Sequence, residues 1–126
     1  RYGHQAGDDC VRAIAALIRQ MERDQIFCAR YGGDEFVIIY SGMSAEEVCE
    51  RAEKLRQDVM ALQIEQRYTE GAFGVTISQG ICHDIPSNGN KNWDFLHVAD
   101  QTLYRVKRRR RNRLCMTDIH GREIEV

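Results

Sequence analysis

Two strand-like runs on either side of a glycine pair constrain the fold of this chain more than any other feature. Residues 26–29 and 36–40 are rich in β-branched and aromatic side chains, and the glycine pair 32–33 lies between them. Because glycine adopts positive φ without a steric penalty, this arrangement predicts a β-hairpin. Asp34 and Glu35 then open the returning strand, where side-chain alternation predicts that they point to opposite faces.

The acidic residues after the glycines allow two interpretations. A carboxylate at a hairpin tip, beside backbone that carries no Cβ, suits a hard cation that holds a phosphate group. The same residues also fit an acidic turn that only faces water. The residues of the hairpin alone leave both interpretations open.

The bulk properties indicate one soluble globular domain. The chain has 126 residues with 29% charged side chains and a formal net charge of −1, so its overall charge gives no attraction to nucleic acid or anionic membranes. No run approaches the roughly 18 apolar residues that cross a bilayer. The five cysteines show no C-x-x-C spacing, which argues against a zinc site and predicts reduced, buried thiols. They are Cys10, Cys28, Cys49, Cys82 and Cys115.

Apolar periodicity predicts three helices that alternate with strands. The first helix is expected to start at Gly7–Asp8 and to end near Arg23. Its apolar stripe consists of Val11, Ile14, Leu17, Ile18 and Met21. The second should follow a capping box at Ser44 and run to about Leu62. Its stripe consists of Val48, Ala52, Leu55, Val59 and Leu62.

The last third of the chain predicts a strand at 75–82, a helix from about Trp93 and a final strand at 114–117. The helix stripe consists of Leu96, Ala99, Leu103 and Val106. Gln79 falls on the same side of its strand as Val75, Ile77 and Ile81, so a buried Gln79 would need hydrogen-bond partners. Residues 119–126 could add a short hairpin through Gly121. Together these elements predict an α/β or α+β domain with helices packed on a mixed sheet.

The residues Gly32-Gly33-Asp34-Glu35-Phe36, preceded by Arg30-Tyr31, resemble the signature of the GGDEF family, the diguanylate cyclases. Other segments extend the resemblance over essentially the whole chain. Residues 2–8 resemble the family's Y-G-H-x-x-G-D segment, and residues 75–81 resemble its V-T-x-S-x-G strand. Residues 99–107 resemble its A-D-x-A-L-Y-x-A-K helix, and 110–113 its G-R-N-R ending, with Arg110 in place of glycine.

The resemblance implies a fold of the adenylyl-cyclase or polymerase-palm type, a mixed and mainly antiparallel central sheet flanked by helices. It implies that residues 1–126 are one GGDEF domain without its first strand and helix. In the family those elements precede Tyr2-Gly3-His4 and carry a metal-binding Asp and a guanine-binding Asn. We therefore expect that residues 1–126 alone neither bind metal normally nor fold stably.

The resemblance also implies an activity, the condensation of two GTP into cyclic di-GMP with release of two pyrophosphates. It implies Mg²⁺ or Mn²⁺ and a homodimer with facing active sites. Asp34 is then the catalytic residue and metal ligand, and Glu35 a second metal ligand. The GTP-binding positions that match the family are His4, Asp8, Gly32, Gly33, Lys107 and Arg111. The alternative is a non-catalytic GGDEF module that binds GTP or cyclic di-GMP, or docks a partner protein.

Two groups of these residues also have plain structural interpretations. His4 and Asp8 fit a surface histidine and a helix-capping acid. Residues 107–113 are almost all basic, which fits a solvated helix end or an RNA-binding patch. With GTP, Lys107 and Arg111 would lie one helical turn apart and face one polyphosphate.

The family's product-inhibition site is degenerate in this chain. Its R-x-x-D motif matches Arg23 and Ile26, so the acid is missing, and Lys54 stands where a second arginine is frequent. We expect weak feedback by cyclic di-GMP. We also expect a bacterial cytoplasmic domain that follows an N-terminal sensor or membrane domain, in some cases anchored in the inner membrane, and no nucleic-acid partner.

Overall fold

The computed structural model describes residues 2–32, 35–62, 76–87, 89, 92–109 and 111–125. The elements are α1 (Tyr2–Arg19), β1 (Ile26–Gly32), β2 (Glu35–Tyr40), α2 (Ala45–Ala61), β3 (Gln79–Cys82), α3 (Asn92–Arg109) and β4 (Leu114–Thr117). Helices combined with small sheets confirm the predicted α+β class. The chain divides into two compact units, residues 1–44 with 57–75 and residues 45–56 with 76–126. Each unit is described separately below.

In the first unit, α1 begins earlier and ends earlier than its sequence pattern predicts. The predicted start at Gly7–Asp8 is wrong, because the helix already begins at Tyr2. A glycine inside a helix costs only about 1 kcal/mol relative to alanine, so Gly7 can lie within α1. Ile14 and Ile18 of the predicted stripe are buried.

The predicted helix end near Arg23 is also wrong, since α1 ends at Arg19. Arg23 and Ile26 exchange two backbone hydrogen bonds, each of 3.1 Å, which close a tight turn before β1. This turn uses the backbone groups that a longer helix would need.

The predicted hairpin is confirmed. β1 and β2 pair antiparallel, from Ile26 opposite Tyr40 to Arg30 opposite Phe36. The register then shifts between Arg30 and Gly32, so that Gly32 stands opposite Glu35. Such a shift is typical of a β-bulge, which bends the strand locally.

The second unit is built on a parallel strand pair covered by α3. β3 pairs with β4 from Gln79 opposite Leu114 to Cys82 opposite Thr117. The strand predicted at 75–82 is shorter than expected, since 76–78 are not extended into the sheet and residue 75 lies outside the described part. Asn112 has a φ of 63°, so the segment before β4 turns away from β3. The β3–β4 pairing therefore cannot extend toward Ser78.

Polar groups that are removed from solvent in this unit have partners. Gln79 Nε2 donates a hydrogen bond of 2.9 Å to the Ala52 carbonyl, which fulfils the requirement predicted for Gln79. Thr102 and Thr117 are fully buried, and their hydroxyl oxygens lie 3.1 Å apart. Thr102 Oγ1 also donates to the Val98 carbonyl at 2.8 Å. The apolar pattern of α3 had not identified Thr102 as a buried residue.

Most of the apolar stripe predicted on α2 is buried. Its four buried members are Val48, Ala52, Leu55 and Val59. Leu62 is the exception, because it follows the helix and remains 36% exposed.

The five cysteines are free. The prediction that they are buried is wrong, since all five are half-buried. Burial, with the nearby charges of Asp84 and Asp118, raises the pKa of Cys82 to about 11. Such a thiol stays protonated near neutral pH and is a poor nucleophile.

The segment after β4 turns back through Gly121 as predicted. Gly121 has a φ of 83°, and Glu123 forms an isolated antiparallel bridge with Thr117. The Gly121 N–H donates to the Asp118 carbonyl at 3.0 Å.

Candidate functional site

Gly32, the last residue of β1, is the described residue at which a ligand could approach the backbone of the hairpin. Gly32 is exposed, and a Cβ placed there would meet no described atom within 4 Å. Glu35 opens β2 opposite Gly32 and is half-buried. Gly33 and Asp34 lie outside the described residues, so the opposite orientation of the two acids stays a prediction.

A metal site at this hairpin would depend on the two signature acids. Among the residues that the structure describes, no group of three or more His, Cys, Asp or Glu side chains could hold a metal ion. Glu35 supplies a carboxylate, the type of donor that Mg²⁺ and Mn²⁺ prefer. Of the predicted pair of ligands, the structure therefore places Glu35 alone.

His4 and Asp8 both lie within α1. Since α1 begins at Tyr2 and its first turn contains no acidic residue, the interpretation of Asp8 as the helix cap is wrong. The side chains of both residues lie outside the described part of the structure, so their role toward a ligand stays a prediction.

Lys107 and Arg111 lie at the end of α3, in the second unit. Lys107 is half-buried in the last turn of the helix, and Arg111 is exposed. The prediction that one helical turn separates them is wrong, because α3 ends at Arg109. Whether both side chains bind one ligand is a separate prediction.

Two other arginines of the basic run, Arg108 and Arg109, have partners within the protein. Arg108 stacks over the Tyr104 ring, with its guanidinium carbon 5.7 Å from the ring centre. Arg109 lies 3.8 Å from a Glu123 carboxylate oxygen. These contacts support the interpretation of both residues as part of a solvated helix end. Arg110 lies outside the described residues.

The chain bends sharply just after Arg111, and several hydrogen bonds hold this bend. Asn112 adopts a φ of 63°, and its N–H donates to Ser78 Oγ at 3.1 Å. Arg56 Nη1 donates to Asn112 Oδ1 at 3.0 Å. The Gln79 N–H donates to the Arg113 carbonyl at 3.0 Å. The bend is therefore bonded to α2 and to the start of β3.

Arg56 itself is held by a neighbour on α2. Its Nε and Nη2 donate to the two carboxylate oxygens of Glu53 at 2.9 and 2.6 Å. This bond to Glu53 raises the pKa of Arg56 above its ordinary value. A pocket of about 310 Å³ lies beside these groups. Its lining consists of Glu53, Arg56, Asn112, Arg113 and Leu114.

Neither Arg56 nor Asn112 was identified from the sequence. A signal for Asn112 was present, because asparagine tolerates positive φ better than most residues and here follows a helical pattern. No comparable signal marks Arg56, since an arginine on a charged helix face is typical of any solvated helix.

The positions that match the family's inhibition site show the loss of the acid. Arg23 is exposed, and Ile26, which replaces the acid, is 1% exposed. An isoleucine offers no acceptor for a ligand. Lys54 is exposed on α2.

None of the described helices combines the length and the apolar character that a membrane crossing requires.

A family model and curated relatives indicate the same family for this chain. The family model "Diguanylate cyclase, GGDEF domain" matches residues 1–113. Diguanylate cyclase A of Treponema denticola is 32% identical over 92% of this chain and 30% of its own length. Diguanylate cyclase VdcA of Vibrio cholerae is 33% identical over 90% of this chain and 33% of its own length. The chain thus spans about a third of the length of these relatives.

Solved structures resemble the fold as well. The GGDEF domain of DgcB from Caulobacter crescentus, in complex with c-di-GMP, matches with a TM-score of 0.79 and 33% identity. That match covers 94% of this chain and 67% of the other. The active GGEEF domain of a diguanylate cyclase from Vibrio cholerae matches with a TM-score of 0.72 and 29% identity, over 90% and 69% of the two chains.

Proposed function

Because the chain belongs to the GGDEF family, whose model matches residues 1–113, we propose that it is the output domain of a diguanylate cyclase. The reaction condenses two GTP into cyclic di-GMP and releases two pyrophosphates, and it serves bacterial second-messenger signalling. The observation that carries the proposal is the complete Gly-Gly-Asp-Glu-Phe signature in the sequence, of which Gly32 belongs to β1 and Glu35 and Phe36 to its antiparallel partner β2.

The signature residues have different roles in the proposed reaction. The Asp34 carboxylate accepts the proton of the attacking hydroxyl, and Glu35 stands beside it in sequence as a second anionic oxygen donor. These two residues would hold Mg²⁺ or Mn²⁺, which would supply positive charge to the phosphates of GTP. Gly32 and Gly33 let the nucleotide approach the backbone.

The remaining positions bind the substrate. Lys107 and Arg111 contact the phosphates of GTP, with Lys107 held by α3 and Arg111 by the bend at Asn112. His4 and Asp8 of α1 complete the GTP-binding residues.

The reaction requires two copies of the domain. Each domain holds one GTP, and a homodimer brings the two active sites face to face. The 3′-oxygen of one GTP forms a bond to the α-phosphorus of the other, and the bond from that phosphorus to the pyrophosphate oxygen breaks. The hydroxyl proton passes to Asp34. A second, equivalent transfer closes the ring.

The proposal includes a cellular setting. The chain would be a cytoplasmic domain, coupled to an N-terminal sensor or membrane domain. GTP and a second copy of the chain are its partners.

A direct assay tests the function. The full-length protein is incubated with GTP and Mg²⁺, and cyclic di-GMP is measured by liquid chromatography and mass spectrometry. We expect product from the wild type and a loss of about a hundredfold or more for Asp34→Ala, given the usual contribution of a general base. Asp24→Ala, which removes an exposed acid of the first unit, is the matched control and should retain activity.

Two outcomes would contradict this account. A full-length protein that binds GTP but makes no product would be a non-catalytic GGDEF module. An Asp34→Ala variant with wild-type turnover would exclude Asp34 as the proton acceptor.

A further inference from the structure

Three hydrogen bonds join the bend that follows Arg111 to residues outside the bend. One goes from the Asn112 N–H to Ser78 Oγ at 3.1 Å, and one from the Gln79 N–H to the Arg113 carbonyl at 3.0 Å. Both join the bend to the start of β3. The third, from Arg56 to Asn112 Oδ1 at 3.0 Å, is made by a side chain of α2.

Arg56 is well placed to hold the bend because its own position is fixed. Its side chain is 20% exposed and forms a two-point ion pair with Glu53 one helical turn earlier. The guanidinium is bound to Glu53 along one edge, through Nε and Nη2, and this two-point contact restricts its rotamer freedom. The Nη1 bond to Asn112 is therefore made by a preorganised donor.

Asn112 needs such support, since its conformation is unusual. A residue other than glycine at positive φ is uncommon, and asparagine is among those that tolerate it. With φ at 63°, Asn112 reverses the chain between the end of α3 and β4. Arg111 directly precedes this reversal, and the N–H of the Arg111–Asn112 peptide is the group that donates to Ser78 Oγ.

We propose that Arg56 is a positioning residue for GTP binding, because its bond to Asn112 fixes the bend that presents Arg111 to the phosphates. The inference rests on the proposed function for the role of Arg111. Arg56 itself does not touch the nucleotide in this proposal. Because Arg56 orders the bend before GTP binds, less conformational entropy of Arg111 is lost on binding.

The expected effect is on affinity more than on chemistry. Arg111 would contact GTP equally in the ground state and in the transition state, so a loosened Arg111 raises KM and leaves kcat nearly unchanged. For the loss of one hydrogen bond to a charged group we expect KM to rise about tenfold.

The experiment uses the full-length protein and measures kcat and KM for GTP, with thermal stability recorded alongside. Arg56→Met removes the donor at similar length. Asn112→Gly removes the acceptor but keeps positive φ accessible, so it separates the lost bond from backbone strain. Both variants should raise KM about tenfold. Arg51→Met, on the same helix, is the matched control and should leave KM unchanged.

Two further variants distinguish positioning from a general structural role. Asn112→Asp keeps an acceptor oxygen for Arg56 and should restore most of the wild-type KM. In an Arg111→Ala background, Arg56→Met should have little additional effect, because both changes remove the same interaction. Additive effects, or an unchanged KM for both Arg56→Met and Asn112→Gly, would overturn the proposal.

The two proposals fail separately. If the wild type forms no cyclic di-GMP, the catalytic proposal fails, and the same variants are compared by the Kd for GTP in titrations. A Kd that rises for Arg56→Met and Asn112→Gly but not for Arg51→Met supports the positioning role. A Kd equal to that of the wild type, or no binding of GTP by the wild type, overturns it.

Discussion

Gly80→Ala, which adds a single methyl group, tests the contact between β3 and α3. A Cβ on residue 80 would lie 2.5 Å from the Ala99 carbonyl oxygen and 2.6 Å from Leu103 Cα. Both are backbone atoms of α3, so no side chain can rotate away from the clash. Gly80→Ala therefore forces the helix and the strand apart.

The size of the effect follows from these distances. Ordinary van der Waals contact of a methyl group begins near 3.4 Å, so the helix must retreat by at least about 0.9 Å at the Ala99 carbonyl oxygen, which lies 2.5 Å away. The backbone nitrogen of Leu103 lies closer still. Inserting a methylene into a packed interior typically costs about 1 to 3 kcal/mol. We place Gly80→Ala at the upper end of that range, about 3 kcal/mol, because the obstacle is backbone.

Hydrogen exchange measured by mass spectrometry on the full-length protein gives the local stability of β3 and α3. Peptides from residues 92–109 should exchange much faster in Gly80→Ala, since a weakened contact lowers the free energy of local opening. Gly89→Ala is the matched control, because a Cβ there meets no described atom within 4 Å. Equal protection of α3 in the two variants would refute the packing argument.

Three further predictions concern the buried hydroxyl pair, the response to acid and the response to product. Thr102→Val should destabilise the protein by about 1 to 3 kcal/mol in urea titrations, because it leaves the Thr117 hydroxyl buried without this partner. Thr102→Val combined with Thr117→Val should recover most of the lost stability. A double variant less stable than the single one would contradict this. Backbone N–H groups that donate to Asp84 lower its pKa from the ordinary value of an aspartate. Asp84 therefore stabilises the fold above its unfolded pKa, and the effect is lost as pH falls through the folded pKa. The stability difference between wild type and Asp84→Asn should shrink in acid, and a constant difference would oppose the assignment. Because Ile26 is buried where the family's inhibition motif has an acid, calorimetry should find no cyclic di-GMP binding that depends on Arg23, and affinity lost in Arg23→Ala would refute this.

The hairpin and the helices could be predicted because local patterns determine them. The Gly-Gly pair between β-branched runs predicts β1 and β2, and the apolar periodicities predict α2 and α3. The start of α1 was missed, since a glycine and an acid resemble a helix cap even where the helix continues through them. The end of α1 was missed because the turn between Arg23 and Ile26 depends on two backbone hydrogen bonds that no periodicity reveals.

Long-range partners explain what the sequence could not predict at the candidate site. The bond between Arg56 and Asn112 joins residues 56 positions apart, and the pattern of α2 contains no trace of it. Thr102 occupies a buried position on a helix face that looks partly polar, because its partner Thr117 lies on β4. The signature itself was evident from sequence, while its catalytic role depends on Asp34, which lies outside the described residues.

If the proposed function holds, the packing at Gly80 should also affect GTP binding, because Lys107 belongs to the helix that Gly80 contacts. α3 approaches β3 closely at Ala99 and Leu103, and Val106, the residue before Lys107, is buried. A helix moves largely as a rigid body, so a retreat of about 0.9 Å at Ala99 also displaces Lys107. Misplacing a binding group by about 1 Å can cost up to a hundredfold in rate.

We therefore expect Gly80→Ala to raise the KM for GTP about tenfold in the full-length protein, while Gly89→Ala leaves it unchanged. To separate displacement from partial unfolding, the assay is run where thermal scans show both variants folded. A Lys107→Ala background supplies the decisive comparison, since Gly80→Ala should add little once the lysine is gone. If Gly80→Ala loosens α3 in hydrogen exchange and KM stays at the wild-type value, then Lys107 does not bind the phosphates of GTP.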